Sequence, residues 1–476
     1  MTAGAIVAIV GSVAASSLSL SSAPFVSLVD EGLGNSSYLI DLGDGRALVV
    51  DPVRHPGDYL ALAERRGLRI AYTVETHLHA DFVSGSRELA ALGALVVAPA
   101  AARLEFPAKG LTDGDDLDLG GLRLRALATP GHTPEHLSYL LLDGDAPVAL
   151  FSGGSLLVGA VARTDLIDPE QTDELARQLW RSLHDRILVL PDDLPVYPTH
   201  GAGSFCSAPA GDDRVTTIGR ERRTNPLLAA GDEDAFVERL RASLGTFPPY
   251  FLRLRAVNRR GPVVHGPGPG RLPSLAATDV ARLRDAGTVV VDARPIDRFA
   301  SGHIPGAVSI ALRPSFATWL GWLVPDDVSL VFVVDADQDI DLLVREARKV
   351  GYERLAGSLA GGMAAWVAGG HAVARVPLAD AGTAGAEPLV VDVRQRSEYD
   401  VDHVPGSVHV ELGAIAAGAE VPAGPISVMC AHGERAMSAA SLLLARGRSD
   451  VTVSTGGPER RAGRHRARSV APAARR

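Results

Sequence analysis

The segment ETHLHADFVSG carries potential metal ligands at alternate positions, His77, His79 and Asp81. It follows the strand-like run RIAYTVET and precedes SGSRELAAL, which has the character of a helix. Imidazoles and a carboxylate at this spacing on a turning loop can converge on one metal ion. His132 in TPGHTPEH and His200 in LPVYPTHGAGS each follow a further apolar run, so we expect these side chains to belong to the same metal site.

A second group of reactive residues surrounds Cys430. The strand-like PISVM ends at this cysteine, and the helical periodicity of ERAMSAASLLLARG begins a few residues later. Backbone N–H groups at the start of that helix would stabilise a thiolate or persulfide anion. Gly433 would let the loop curl tightly, and Arg435 adds positive charge. We therefore expect a reactive thiol at Cys430, whereas Cys206 is interpreted as a small buried hydrophobic residue.

The elements that must position these residues differ between the two parts of the chain. In residues 25–262, strand pairs alternate with helical stretches, and SSYLIDLGDGRALVVDPV predicts a hairpin around Asp44-Gly45. Mixed strands and helices of this kind predict an α/β sandwich. The run GPGPG marks a Gly/Pro linker over residues 263–273, because such a run cannot lie inside a helix or strand.

Beyond the linker the chain repeats itself. TVVVDARPIDRFASGHIPGAVSI at 288–310 parallels PLVVDVRQRSEYDVDHVPGSVHV at 388–410. A period of about 100 residues is too long for a solenoid repeat and is typical of two copies of a small α/β domain. We expect these domains over residues 274–376 and 384–465.

Composition limits the class of protein. A chain of 476 residues suggests about three domains, and 46% hydrophobic with 22% charged residues is typical of a globular protein. The net charge of −9 argues against a nucleic-acid binder. The presence of only 2 cysteines favours a reducing compartment, and we expect a cytoplasmic protein. Apolar runs are too short for a membrane span, so no membrane partner is expected.

Both ends of the chain are expected to be disordered. Residues 1–24 contain an apolar run of about signal-peptide length, but no Lys or Arg precedes it, so we interpret them as an extension. Residues 466–476 are interpreted as a solvated basic tail.

The second repeat resembles the rhodanese family of sulfurtransferases. The resemblance rests on its DVR and HVPG signatures followed by Cys-x-x-Gly-x-Arg. It implies that Cys430 carries sulfane sulfur as a persulfide and that residues 431–435 cradle it. The first repeat has Asp335 roughly at the position of the cysteine, which implies a catalytically silent domain because a carboxylate cannot form a persulfide. The second repeat departs from the family at Arg461, where the first has Trp366.

Residues 25–262 resemble the metallo-β-lactamase fold superfamily, which implies an αββα sandwich. The segments EGLGNSSYLIDLGDGRALVVDP, ARTDL, THGAGS, TTIGRERRTNP and PPYFLRLRAVNRRGP resemble its bacterial persulfide dioxygenase branch, which is fused to rhodanese domains. That branch holds one Fe(II) through two histidines and one aspartate. By resemblance the histidines are His77 and His132, but Gly154 stands where the aspartate belongs. Phe82 replaces a histidine that two-metal hydrolases use.

Three outcomes remain open for this metal site. The first is a Zn(II) site of His77, His79 and His132, with Asp81 and His200 nearby, which would suit hydrolysis of thioesters. The second is a weakened two-histidine Fe(II) site with poor dioxygenase activity. The third is an empty pocket in a non-catalytic scaffold that binds sulfur compounds. The cofactor is thus one Fe(II) or Zn(II), weakly bound or absent.

The expected role is sulfane-sulfur metabolism, with a persulfide dioxygenase-like metal domain joined to a rhodanese-type sulfurtransferase. The expected small-molecule partners are a glutathione-type persulfide or thiol, thiosulfate and sulfite. A homo-oligomer is left open.

Overall fold

The computed structural model describes residues 8–10, 24–206, 213–268, 271–379 and 388–458. Two compact units divide the chain, the first covering 1–270 with 345–351 and the second covering 271–344 with 352–476. Arg461 and the predicted basic tail lie outside the described residues, as does most of the predicted N-terminal extension. No helix among the described residues has both the length and the apolar character needed to cross a bilayer.

The first unit contains two sheets. One has seven strands in the order β1 to β7, and the other has six in the order β13-β12-β11-β10-β9-β8. The strands of the first sheet are β1 (Ala8–Val10), β2 (Phe25–Asp30), β3 (Asn35–Asp41), β4 (Arg46–Val50), β5 (Arg69–Val74), β6 (Leu95–Pro99) and β7 (Lys109–Leu111). Those of the second are β8 (Asp116–Asp118), β9 (Leu122–Ala128), β10 (Leu137–Asp143), β11 (Ala146–Gly153), β12 (Pro195–Pro198) and β13 (Thr216–Thr217).

Helices cover the outer faces of both sheets. They are α1 (Gly57–Arg65), α2 (Ser86–Ala90), α3 (Thr172–Ser182), α4 (Ile218–Thr224), α5 (Glu233–Ser243) and α6 (Phe251–Arg260). Short 3-10 turns lie at Ala100–Ala102 and Pro169–Gln171, and a π turn at Leu183–Ile187. The antiparallel pairing of β3 with β4 confirms the predicted hairpin.

Successive side chains along each strand point to opposite faces of the sheet, and this divides the core into three layers. On β10, Tyr139 and Leu141 point into the cluster between the sheets, whereas Leu140 joins the outer cluster with Leu179 and Phe236 of α3 and α5. This follows from the two-residue period of strand side chains. On the other outer face, strand residues of the first sheet pack with side chains of α1. The predicted αββα sandwich is confirmed.

The second unit contains two five-stranded parallel sheets of the same topology, with orders β14-β18-β17-β15-β16 and β19-β23-β22-β20-β21. The elements of the first repeat are β14 (Ser274–Leu275), α7 (Ala277–Asp285), β15 (Val289–Asp292), α8 (Ile296–Ser301), β16 (Val308–Ser309), α9 (Phe316–Leu323), β17 (Leu330–Val333), α10 (Ile340–Lys349), β18 (Leu355–Leu359) and α11 (Gly362–Ala368). Those of the second are β19 (Leu378–Ala379), β20 (Leu389–Asp392), α12 (Arg396–Val401), β21 (Val408–His409), α13 (Leu412–Ala416), β22 (Ile426–Met429), α14 (Glu434–Ala445) and β23 (Val451–Ser454).

The Asp-x-Arg motif, which occurs in both repeats, forms the same ion pair in each. Asp292 pairs with Arg294 at 2.6 Å, and Asp392 pairs with Arg394 at 2.7 Å. Both arginines also donate to a carbonyl eight residues further on, which ties the strand end to the following loop. Buried ion pairs of this kind are costly to break when one partner is removed. The Asp-x-Arg motif therefore ties the end of a central strand to the loop that follows it.

Candidate metal centre and persulfide site

The structure brings the five candidate ligands of the first unit together in its interior. The loop after β5 supplies His77, His79 and Asp81, whereas His132 follows β9 and His200 follows β12. Each side chain is at most 2% exposed. The ring centre of His77 lies 4.2 Å from that of His79, 4.8 Å from that of His132 and 5.4 Å from that of His200.

Hydrogen-bond partners set the tautomers of three histidines. The Thr76 hydroxyl donates to Asp51 and therefore accepts from Nδ1 of His77 at 2.8 Å. Nδ1 of His132 lies 2.7 Å from the carbonyl of Arg163, which can only accept. These partners leave the Nε2 lone pairs of His77 and His132 free.

The hydrogen-bond partners of His200 also place its proton on Nδ1. Its Nδ1 lies 3.2 Å from Asn35 Oδ1 and 3.2 Å from Asp81 Oδ2, both acceptors. Its Nε2 lies 3.4 Å from Nε2 of His77. Two ring nitrogens without protons that face each other at this distance are stabilised by a shared cation. The ligand atoms of His77, His132 and His200 lie within 4.8 Å of one another.

Burial favours the neutral form of His77 and His132. Burial, reinforced by the neighbouring imidazoles, lowers the pKa of both His77 and His132 well below its usual value. For Asp81, burial opposes ionisation, but His200 outweighs it and lowers the pKa to about 2. Neutral imidazoles and an ionised carboxylate are the forms that bind metals.

His79 is oriented differently from the other rings. Its Nε2 lies 3.0 Å from Glu75 and 3.2 Å from Asp51. Burial opposes protonation of this ring, but the two carboxylates outweigh it and raise the pKa of His79 to about 10. Its Nδ1 is turned away from these carboxylates and toward the other ligands, which places His79, Asp81 and His200 in a second overlapping group.

Three buried atoms at this site have no hydrogen-bond partner: His79 Nδ1, His132 Nε2 and Oδ1 of Asp81. An unsatisfied buried polar atom costs about 1–3 kcal/mol. A divalent cation in the group of His77, His132 and His200 would satisfy Nε2 of His132. A cation in the group of His79, Asp81 and His200 would satisfy the Asp81 carboxylate and, once His79 has lost its Nδ1 proton, this nitrogen as well. The donor set therefore fits iron or zinc.

The two positions expected to be degenerate shape this site. Phe82 is fully buried and stacks on His79 with ring centres 4.2 Å apart. Gly154 donates its N–H to Nε2 of His136 at 3.0 Å. A Cβ atom at Gly154 would lie 2.4 Å from Cδ2 of His132, so the ring fills the space that a side chain would need. His136 uses its other nitrogen on Thr129 and is a structural residue.

Sequence reasoning missed Asp51 and Glu75. Asp51 follows β4 in VVDP and is one of only two non-glycine residues with positive φ among the described residues, with φ 47°. It accepts from the backbone N–H of Thr76 at 2.7 Å and from the Thr199 hydroxyl. The available signal was an acidic residue at the end of an apolar strand, but the partners come from distant parts of the chain.

In the second unit, Cys430 is the first residue after β22 and is 1% exposed. Its sulfur accepts the backbone N–H of Gly433 at 3.0 Å. Gly433 has φ 106°, a value that favours glycine, and it precedes α14. Arg435 makes a bidentate ion pair with Glu398 at 2.5 and 2.7 Å.

The first repeat has no thiol at the equivalent position. Asp292 pairs with Val333 in β15 and β17, as Asp392 pairs with Met429 in β20 and β22. The counterpart of Cys430 by register is therefore Val334, one residue before the expected Asp335. The shift follows from the strand ends, which periodicity locates only approximately.

Comparison with known proteins bears on both sites. The family model described as Metallo-beta-lactamase superfamily matches residues 30–206. The mitochondrial persulfide dioxygenase ETHE1 of Homo sapiens is 31% identical over 204 residues, which are 42% of this chain and 73% of that protein. The chain belongs to the metallo-beta-lactamase superfamily. Within this superfamily its first unit is homologous to persulfide dioxygenase ETHE1.

Other proteins similar to this chain have names that indicate activities other than persulfide oxidation. A hydroxyacylglutathione hydrolase of Methylococcus capsulatus is 36% identical over 170 residues, 35% of this chain and 62% of that protein. A crystal structure of a metallo-beta-lactamase from Staphylococcus aureus is 28% identical with a TM-score of 0.64, and it covers 71% of this chain and 98% of that one. The Rhodanese-like domain model matches residues 276–369 and 378–460. The chain is thus a fusion of a metallo-beta-lactamase-fold domain with two rhodanese-like domains.

Proposed function

We propose that this protein transfers sulfane sulfur through Cys430 and couples that transfer to a metal domain of the persulfide dioxygenase type. The observation that supports this proposal most directly is the position of the Cys430 sulfur. It lies just before α14 and accepts the N–H of Gly433. A backbone donor at a helix start stabilises negative charge on sulfur, in a thiolate or in a persulfide. The rhodanese-like matches support this assignment.

The proposed transfer needs only a sulfur donor and an acceptor, with no oxidant or reductant. The Cys430 thiolate attacks the outer sulfur of thiosulfate, the sulfur–sulfur bond of thiosulfate breaks, and its electron pair leaves with sulfite. The persulfide on Cys430 then gives its outer sulfur to a nucleophile such as cyanide or a glutathione-type thiol, which regenerates the thiolate. The first repeat, which has Val334 at the equivalent position, is silent in this proposal.

The metal domain is proposed to hold one metal ion through His77, His132 and His200, with His79 and Asp81 beside them. Bound Fe(II) would supply oxygen activation for persulfide oxidation, and bound Zn(II) would supply water activation. The chain contributes neutral imidazoles held by Thr76 Oγ1 and by the Arg163 carbonyl. With Gly154 in place of a carboxylate, we propose that dioxygenase turnover is reduced.

A second candidate is a zinc-dependent thioester hydrolase. It is favoured by the convergence of three histidines, since neutral nitrogen donors with an open position suit zinc. The similarity to hydroxyacylglutathione hydrolases also supports thioester hydrolysis. Near-stoichiometric zinc with thioester turnover and no oxygen uptake would select this candidate. Purified protein that contains neither metal would select the non-catalytic scaffold.

Matched cysteine variants test the sulfur transfer. Both cysteines are free and buried, so Cys206→Ala controls for loss of a buried thiol. We expect Cys430→Ser to abolish thiosulfate-to-cyanide transfer and Cys206→Ala to retain it. Transfer that persists in Cys430→Ser would remove this residue from its proposed role.

Oxygen consumption with glutathione persulfide tests the metal domain. We expect slow, iron-dependent uptake that His132→Ala abolishes while Cys430→Ser leaves it unchanged. Rapid uptake by the iron-loaded protein would contradict the proposed effect of Gly154. A cytoplasmic location is proposed from the two free cysteines, which suit a reducing compartment.

A further inference from the structure

The cavity at Cys430 has walls from both rhodanese-like repeats. Its volume is about 40 Å³. The second repeat contributes the reactive loop and the start of α14, and the silent repeat contributes Arg313, Ser315 and Trp319. The silent repeat therefore supplies side chains to a site whose thiol lies in its neighbour.

Hydrogen bonds hold this second wall in place. The Ser438 hydroxyl on α14 donates to the carbonyl of Ser309 at 2.6 Å. The Ser309 N–H donates to the Ser441 hydroxyl at 3.1 Å. Ser309 ends β16, and Arg313 follows it by four residues, so these bonds fix the position of Arg313 relative to Cys430.

The two arginines at the cavity are engaged differently. Arg435 is held by both oxygens of Glu398 and its side chain is 17% exposed. Arg313 makes one ion pair, to Glu434 at 2.5 Å, and these side chains are 40% and 31% exposed. Exposed single ion pairs contribute about 0.2–1 kcal/mol, so the Arg313–Glu434 pair can exchange partners readily.

The burial of the thiol makes such an exchange necessary. Cys430 is 1% exposed, so the side chains that line its cavity cover the sulfur. Thiosulfate carries five heavy atoms and two negative charges. To reach the sulfur of Cys430 it must displace a side chain, and its oxygens can replace the Glu434 carboxylate on the guanidinium of Arg313.

We propose that Arg313 of the silent repeat selects oxyanion donors for Cys430, and that Glu434 competes with the donor for this guanidinium. The inference rests on the proposed sulfur transfer at Cys430. It gives the silent repeat a chemical role, which is recognition of the sulfonate group of thiosulfate or of sulfite as a product.

Alkylation of Cys430 tests this inference independently of turnover. Iodoacetate is an anion and iodoacetamide is neutral, and the ratio of their rate constants at the Cys430 peptide measures anion selection. In the full chain, we expect Arg313→Gln to lower this ratio at least fivefold and Glu434→Gln to raise it. Arg298→Gln, which removes an exposed arginine of the same repeat outside this cavity, is expected to leave the ratio unchanged.

Kinetics provide a second measurement. We expect Arg313→Gln to raise the KM for thiosulfate about tenfold with kcat within twofold, and Arg313→Lys to recover part of the loss. An unchanged alkylation ratio in Arg313→Gln, or an equal fall in Arg298→Gln, would overturn the inference. Absence of thiosulfate turnover in the wild-type protein would instead refute the proposed function, because the alkylation ratio does not depend on it.

Discussion

The contact between Gly154 and His132 allows a sharp test of the metal site. In Gly154→Ala the added Cβ would lie 2.4 Å from Cδ2 and 2.8 Å from Cγ of His132. The ring cannot retreat freely, because its Nδ1–H is bonded to the Arg163 carbonyl at 2.7 Å. Overpacking of a buried site costs about 1–3 kcal/mol. A domain of this size loses roughly 2–4 °C of Tm per kcal/mol, so we expect the Tm of the first unit to fall by about 2–12 °C.

Metal binding should fall together with stability. Displacing a ligand from its outer hydrogen-bond partner typically costs about 10–100-fold in metal affinity. Calorimetry and metal titration of Gly154→Ala would measure both effects. Gly231→Ala is the matched control, since a Cβ at Gly231 meets no atom within 4 Å. A Gly154→Ala protein as stable and as metal-competent as Gly231→Ala would refute the placement of His132.

Gly154→Asp separates the carboxylate from the clash. It adds the same Cβ as Gly154→Ala, so the ratio of their iron affinities isolates the contribution of the anionic group. We expect Gly154→Asp to bind Fe(II) at least tenfold more tightly than Gly154→Ala, and to gain oxygen uptake with glutathione persulfide. Equal affinity in the two variants would show that a carboxylate here does not contact the metal.

Three further outcomes are expected. Asp51→Asn should lower metal affinity about 10–100-fold in a competition titration, because the amide loses the negative charge beside His79 and the oxygen that accepts from the hydroxyls of Thr76 and Thr199; unchanged affinity would contradict this role. Trp366→Ala should destabilise the second unit by about 3–5 kcal/mol in urea, because this indole is fully buried and donates to a carbonyl at 2.8 Å; a cost below about 1 kcal/mol would contradict it. Removal of metal with a chelator should lower the Tm of the first unit and leave thiosulfate-to-cyanide transfer at Cys430 unchanged, since the ligands lie in the other unit; a loss of this transfer would show that the reaction at Cys430 itself requires the metal.

Much of the fold followed from local patterns. Strand period, turn residues and the repeat near 100 residues predicted the sandwich and the two α/β copies, because these signals depend on neighbours in sequence. The same applies to the position of Cys430 between a strand and a helix, which β22 and α14 confirm. The residue equivalent to Cys430 in the first repeat was misplaced by one, because the strand end depends on pairing with β15.

The sequence by itself determined which side chains are available as ligands and thiols, since motif spacing fixes residue type and order along the chain. Only the tertiary structure decided how they can act. The tautomer of His132 depends on a carbonyl 31 residues away, and that of His200 on Asn35, 165 residues away. Whether Gly154 leaves a vacancy also depends on the His132 ring that fills it. Likewise, Arg313 lines the cavity at Cys430 only because the two repeats pack together, a long-range arrangement that no local pattern encodes.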